Sequence, residues 1–298
     1  MFDSIVFDEL YYLYDFKKIL GDFMTFHDWI FSNYPPNSSI GGQWGVLHIL
    51  TILVCIAFIV GLSMLSSKSE QTRKLVIRIL VAVILFFEVA RRIINIIKGG
   101  EYNFQDFCRT ILPRPWCAIA CWSMIFTVIT QKKFMYNFSS TISLLSALIF
   151  FIYPSVGFNN KYILFENVYS IGTHALLLIT SILMLVYGLC DFRYKRPTFK
   201  GGAMKEFIAL GVMFVYAFVE IFVLKIESNP LYFMPGGEVQ EILGLGYGVY
   251  LIVYSLFLVL YFNLFYIVQY FMLKNKKSVE VEQTIQSNEI IRKSREIK

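Results

Sequence analysis

The sequence predicts an all-α membrane protein, a bundle of seven transmembrane helices. Three observations lead there. The 298-residue chain is 57% hydrophobic and only 16% charged, whereas a soluble domain is about 45–50% apolar and about 25% charged. Its mean hydropathy is +0.60. Its apolar residues also collect into long runs separated by polar, Gly- or Pro-bearing connections.

A helix needs about 20 predominantly apolar residues to cross the hydrocarbon. Seven runs qualify, at roughly 44–65, 75–97, 114–130, 134–153, 168–189, 207–226 and 242–272. The third is short, and the seventh is long enough to tilt or to emerge from the membrane. This divides the chain into an N-terminal segment 1–43, a transmembrane domain 44–272 and a polar tail 273–298.

Orientation follows from Lys and Arg in the connections. With the N-terminus outside, the inner loops and the tail hold 17 basic residues and the outer side about 7. The positive-inside rule therefore predicts N-out and C-in, in a multi-pass protein of the cell membrane. Residues 1–43 are acidic and aromatic, unlike a cleavable signal peptide. Phe7, Leu10, Tyr11 and Tyr14 recur at helical spacing, which predicts one or two short amphipathic helices on the outer surface. The tail, with Lys274, Lys276 and Lys277 at its start, reads as a solvated helix or a disordered segment facing anionic head groups.

Ionisable residues inside a span are costly and mark candidate sites. The second run carries Arg78, Glu88, Arg91 and Arg92. Arg78 can snorkel to the inner surface. Glu88 is three residues from Arg91 and four from Arg92, so either can neutralise it on a helix. His48 lies one turn into the first run, and His174 about two turns into the fifth. The third run opens Leu112-Pro113-Arg114-Pro115-Trp116-Cys117, where proline suits a first helical turn and sets Cys117 just inside. His48, Glu88, Arg91, Asn95, Cys117 and His174 map to the outer half of the bilayer, and Asn229 in the last outer loop lies near the same level. The inner half holds no comparable polar set apart from Arg78. If these side chains share a face, they form one outward-opening pocket at head-group depth.

The chemistry such a pocket suggests is nucleophilic acyl transfer. A thiolate at Cys117 is the reactive species and an imidazole at His174 can take its proton. Arg91 or Arg92 could lower the thiol pKa or bind a lipid phosphate. The five cysteines (55, 108, 117, 121, 190) have no zinc-like spacing and suggest neither a metal site nor a disulfide framework. No cofactor is expected.

Several landmarks together resemble the YwaF-like integral membrane family. They are Trp44-Gly-Val-Leu-His48 at the start of the first run, Glu88 within the second and Leu112 to Cys117 before the third. Thr173-His174 in the fifth and Asn229-Pro-Leu-Tyr-Phe-Met before the last complete the set. That family includes a eukaryotic cysteine-dependent acyltransferase acting on ether lysophospholipids. It is distantly similar to the androgen-induced hydrolases of fatty-acid esters. The resemblance covers about residues 44–272. It implies Cys117 as the acyl-accepting nucleophile and His174 as its base, with His48, Glu88, Arg91, Arg92 and Asn229 binding substrate or supporting the pair. Bacterial relatives usually carry a His two residues before the Cys, where this chain has Pro115, and a Gly after the second His, where it has Ala175.

The expected function is thus acyl transfer or ester hydrolysis on phospholipids of the outer leaflet, with membrane phospholipids as partners. The alternative from another class is a receptor, sensor or carrier holding a lipid or small molecule in the same pocket. A retinal role is disfavoured, because 242–272 contains no lysine for a Schiff base. There is no Walker A loop. A basic inner face accounts for the net charge of +6 without nucleic acid.

Overall fold

The computed structural model describes residues 30, 44–99, 103–113, 116–152, 158, 164–192, 203–226 and 231–296, with backbone alone at 99, 238 and 272–296. The amphipathic helices expected within 1–43 and the residues Arg114, Pro115 and Asn229 lie outside this description. Among the described residues the structure is all helical. Each of the seven apolar runs contains a helix: α1 (Val46–Ser63), α2 (Glu70–Gly99), α4 (Trp116–Thr130), α5 (Lys133–Ile152), α6 (Phe165–Val186), α7 (Met204–Phe218) and α9 (Tyr247–Glu296). Two short helices, α3 (Phe104–Ile111) and α8 (Glu238–Leu243), precede α4 and α9.

Five helices, α1, α5, α6, α7 and α9, are long and apolar enough to cross a membrane, α7 by continuing through a π-helical turn to Val223. A sixth arises if α3 and α4, bent by 59°, act as one broken span. The 15 residues of α4 alone rise only about 22 Å, less than the hydrocarbon thickness. α2 is long enough at 30 residues. Its charges at Arg78, Glu88, Arg91 and Arg92 keep it from qualifying by composition.

The chain divides into two compact units. The first comprises Met1–Cys190 and Phe214–Met234. Here α6 packs against α1, α2 and α5, and α4 lies against both α2 and α5. α5 is the inner helix, with 72% of its apolar window buried, whereas α1 buries only 6%. The outward faces of α1 and α2 carry large apolar side chains such as Leu53, Phe58, Phe86 and Ile97, as lipid contact requires. At one end of this bundle Arg73 donates to the Tyr187 carbonyl (2.5 Å), and the Tyr187 hydroxyl to the Leu62 carbonyl (2.7 Å). These bonds fasten the ends of α1, α2 and α6 together.

The second unit comprises Asp191–Met213 and Pro235–Lys298. Inside it the Tyr266 hydroxyl donates to the buried Glu206 (2.6 Å), and Phe207 meets Phe262. The last span was expected to start near 242. It begins instead at Tyr247, because α8 ends at Gly244 with φ 62, a left-handed cap that glycine adopts without strain. α9 then runs unbroken for 50 residues, about 75 Å, so the tail is helical rather than disordered.

Candidate functional site

The polar residues singled out above gather at one end of the first unit, in two groups rather than one. The first lies between α2, α4 and α6. Glu88 is fully buried, and its Oε2 accepts from Arg92 Nη1 at 2.5 Å. Arg92 also donates to the Glu88 carbonyl (2.9 Å) and the Ile111 carbonyl (3.0 Å), and its guanidinium lies over Trp122, 5.5 Å from the ring centroid. Of the two pairings open to Glu88, the four-residue spacing is the one that forms the ion pair. A buried charge is tolerated only when paired and hydrogen-bonded, and both conditions are met.

The second oxygen of Glu88 accepts from the hydroxyl of Tyr169 on α6, at 2.5 Å. That hydroxyl in turn accepts from Arg91 Nη1 at 3.0 Å, and the Arg91 guanidinium sits 5.0 Å from the Tyr169 ring centroid. Tyr169 therefore clasps α2 to α6. Cys117 stands half-buried in the first turn of α4, the helix that packs against α2. Cys121 is one turn further on and fully buried. Tyr169 was not anticipated from sequence. Nothing distinguishes it among 19 tyrosines except that a buried Glu88 needs a donor from outside α2.

The second group joins the two histidines through phenylalanines. His174 stacks on Phe150 of α5, and Phe150 touches Phe158, which touches His48. The Nδ1–H of His174 donates to the Ser170 carbonyl at 2.7 Å, which leaves Nε2 of a neutral ring as the proton acceptor. His48 is fully buried at the start of α1. Its Nδ1 accepts from the Trp44 N–H at 3.2 Å, holding a residue that turns with φ 69. Among the described residues its Nε2 is buried without a hydrogen bond. His48 thus ties the chain that enters α1 to the first turn of the helix.

The groups differ because Tyr169 and His174 are five residues apart on α6, a rotation of about 140°. One faces α2 and the other α5. Among the described residues no hydrogen bond, ion pair or ring contact joins Cys117 to His174.

The other end of the bundle is richer in polar groups than expected. Beside the surface ion pair of Lys74 with Glu70, its buried polar groups among the described residues are mainly hydroxyls. Thr127 and Ser139 bond at 2.6 Å across α4 and α5, and the Cys190 thiol meets the Ser140 hydroxyl at 3.3 Å. Ser143 on α5 and Thr180 on α6 have buried hydroxyls without a hydrogen-bond partner among the described residues. Arg78 is exposed, as a snorkelling residue should be. Among the described residues no group of three or more His, Cys, Asp or Glu could hold a metal ion.

A fold of several apolar helices around a buried ion pair and buried hydroxyls defines a multi-pass membrane protein. The chain belongs to the TMEM164 family, whose model matches residues 41–266. That stretch contains α1 to α8, the apolar part of α9 up to Tyr266, and every candidate residue named above. No curated protein and no solved structure matches the chain.

Proposed function

We propose that this protein is a lipid-acyl enzyme of the cell membrane, akin to the YwaF-like proteins, with Cys117 as nucleophile and His174 as base. In this reading α2 and the α3–α4 pair also span. The bundle then has seven spans with its N-terminus outside, and the site opens to the outer leaflet. The observation that carries the proposal is the setting of Cys117: a half-buried residue in the first turn of α4, the helix that packs against α2 and its Glu88–Arg92 pair. Electropositive, partly exposed surroundings are those of reactive cysteines.

The thiol gives its proton to His174 Nε2, and the thiolate adds to the ester carbonyl of a phospholipid. The carbon–oxygen ester bond breaks, and the departing alkoxide takes the proton back from His174. An acyl thioester and a lysophospholipid result. A second hydroxyl then accepts the acyl group in transfer, or water does so in hydrolysis, restoring the thiol. His174 must turn or slide toward Cys117 for the first step, since the two are not in contact here.

That separation favours a second reading, a non-enzymatic carrier or receptor for a lipid. Mass spectrometry of phospholipids incubated with the purified protein and with Cys117→Ala and His174→Ala decides between them. New or cleaved acyl chains with wild type alone support the enzyme. Unchanged lipids in all three samples over several acyl donors, with lipid still bound, support the carrier.

A further inference from the structure

We propose that the groove between α2 and α4 holds an acidic phospholipid, its phosphate on Arg78, Lys132 and Lys133 and an acyl chain along Phe126 and Ile129. Two stripes build the groove on helices that pack together. On α2, Lys74, Arg78 and Arg92 share one face, since Arg78 lies about one helical turn beyond Lys74 and Arg92 about five. On α4, Trp122, Phe126 and Ile129 follow at four- and three-residue spacing and share a face as well. The Arg92 guanidinium lies 5.5 Å from the Trp122 ring centroid, and Trp122 meets Phe126 at 6.2 Å. The two stripes therefore border one groove.

One end of the groove is cationic and stands at a membrane surface. The ends of α1, α5 and α6, all long and apolar enough to cross a membrane, are fastened together here. Arg73 donates to the Tyr187 carbonyl, the Tyr187 hydroxyl to the Leu62 carbonyl, and the Cys190 thiol to the Tyr136 carbonyl at 3.6 Å. Thr127 donates to the Met135 carbonyl at 3.0 Å, which sets the turn from α4 to α5 at the same level. The described residues of the first unit place six basic side chains at this end, Lys68, Arg73, Lys74, Arg78, Lys132 and Lys133. Against them stands one carboxylate, Glu70, which Lys74 already neutralises at 2.7 Å. Arg73 is turned to Tyr187, while Arg78, Lys132 and Lys133 are exposed. Among the described residues Arg78 and Lys132 have neither an ion pair nor a hydrogen bond.

The rest of the groove is apolar. Phe126 and Ile129 are 51% and 69% exposed. About 21 Å of α2 separates Arg78 from Arg92, more than the roughly 15 Å of hydrocarbon in one leaflet. A cationic end continued by an apolar groove fits a phosphate continued by an acyl chain, whereas a soluble phosphate would use the basic end alone. A guanidinium and two ammonium groups favour a head group with net negative charge, since the cation of a zwitterionic one would meet like charge.

The test is lipid retention by the purified full-length protein in detergent micelles with equal amounts of phosphatidylglycerol and phosphatidylcholine, read by native mass spectrometry. Wild type should retain phosphatidylglycerol in preference, and excess inorganic phosphate should not displace it. Each basic residue near an anionic surface is worth about fivefold in binding. Arg78→Gln combined with Lys132→Gln and Lys133→Gln should therefore lower phosphatidylglycerol retention about a hundredfold and abolish the preference. Lys274→Gln combined with Lys276→Gln and Lys277→Gln removes as many charges from the tail and should leave retention at the wild-type level. Melting temperatures report whether each variant folds. Should the groove variant fail to fold, Lys132→Gln with Lys133→Gln, both on an exposed turn, carries the test with an expected loss of about twenty-five-fold. Four results would each overturn the proposal: no preference in wild type, unchanged retention in the groove variant, equal loss in the tail variant, or displacement of the lipid by inorganic phosphate.

Discussion

The rings of Phe150 and His174 lie face to face, 3.8 Å between centroids and 7° from parallel. The imidazole is held on its edge by the Ser170 carbonyl and on its face by a ring from α5. Its position is thus set by the packing of two helices. Phe150→Ala removes a buried ring and should cost about 3–5 kcal/mol, with Phe150→Leu costing less. Thermal unfolding in detergent micelles should rank wild type above Leu above Ala. Equal midpoints would mean that the stack contributes nothing.

Glu88 answers to two partners, so its loss is expected to be severe. Glu88→Gln leaves Arg92 charged in a buried site and should destabilise by about 3–5 kcal/mol. Glu88→Gln combined with Arg92→Met removes both charges and should recover much of that loss. A double variant as unstable as the single one would show that the ion pair itself, rather than the stranded charge, carries the energy.

Tyr169→Phe deletes a hydroxyl that donates to Glu88 and accepts from Arg91. Both neighbours are charged, and the expected loss is about 1.5–3 kcal/mol in the same melting experiment. A change below the scatter of the measurement would remove Tyr169 as the clasp between α2 and α6.

The hydroxyls at the other end of the bundle should divide into two kinds. Thr127 bonds to the Ser123 and Met135 carbonyls and to Ser139. Thr127→Val should cost about 0.6–1.7 kcal/mol, the range for such bonds in membranes. Ser143 and Thr180 have no partner to lose, so Ser143→Ala and Thr180→Val should be neutral or slightly stabilising. Destabilisation by either would indicate a bridging water.

Membrane orientation has a direct test. In a background lacking the five cysteines, a single cysteine at Gln105 on α3 should react with an impermeant maleimide added to intact cells. One at Ser278 in the tail should react only after the cells are opened. The reverse pattern would invert the proposed topology.

The helices were legible because lipid demands long apolar runs, and those runs mark α1, α5, α6, α7 and α9 plainly. α3 was not, since eight residues with Asp106 and Arg109 among them resemble a loop. The helical tail was open because its polar composition fits a solvated helix as well as a coil. Within the site, depth could be read and direction could not. Counting residues from the helix ends places Cys117, Glu88 and His174 at one level. Which way each points depends on how each helix is rotated in the bundle, and that is set by tertiary packing. The pairing of Glu88 with Arg92 is thus formed, whereas among the described residues no contact joins Cys117 to His174. Tyr169 became visible only once α6 was seen turned toward α2.

The burial of α5 bears on how the protein is made. Of α1, α6 and α5, the first is the most apolar and the last the least, while the buried share of each apolar window rises from 6% through 50% to 72%. A segment with several serines gains less from entering lipid alone: Thr141 bonds within α5, but Ser139 finds its partner, Thr127, only on α4. During synthesis α1 can leave the translocon unaided, whereas α5 must wait beside it until α4 and α6 can receive it. Mutations that weaken those two helices should therefore appear first as failed insertion and rapid degradation of the newborn chain, before any defect in the finished protein.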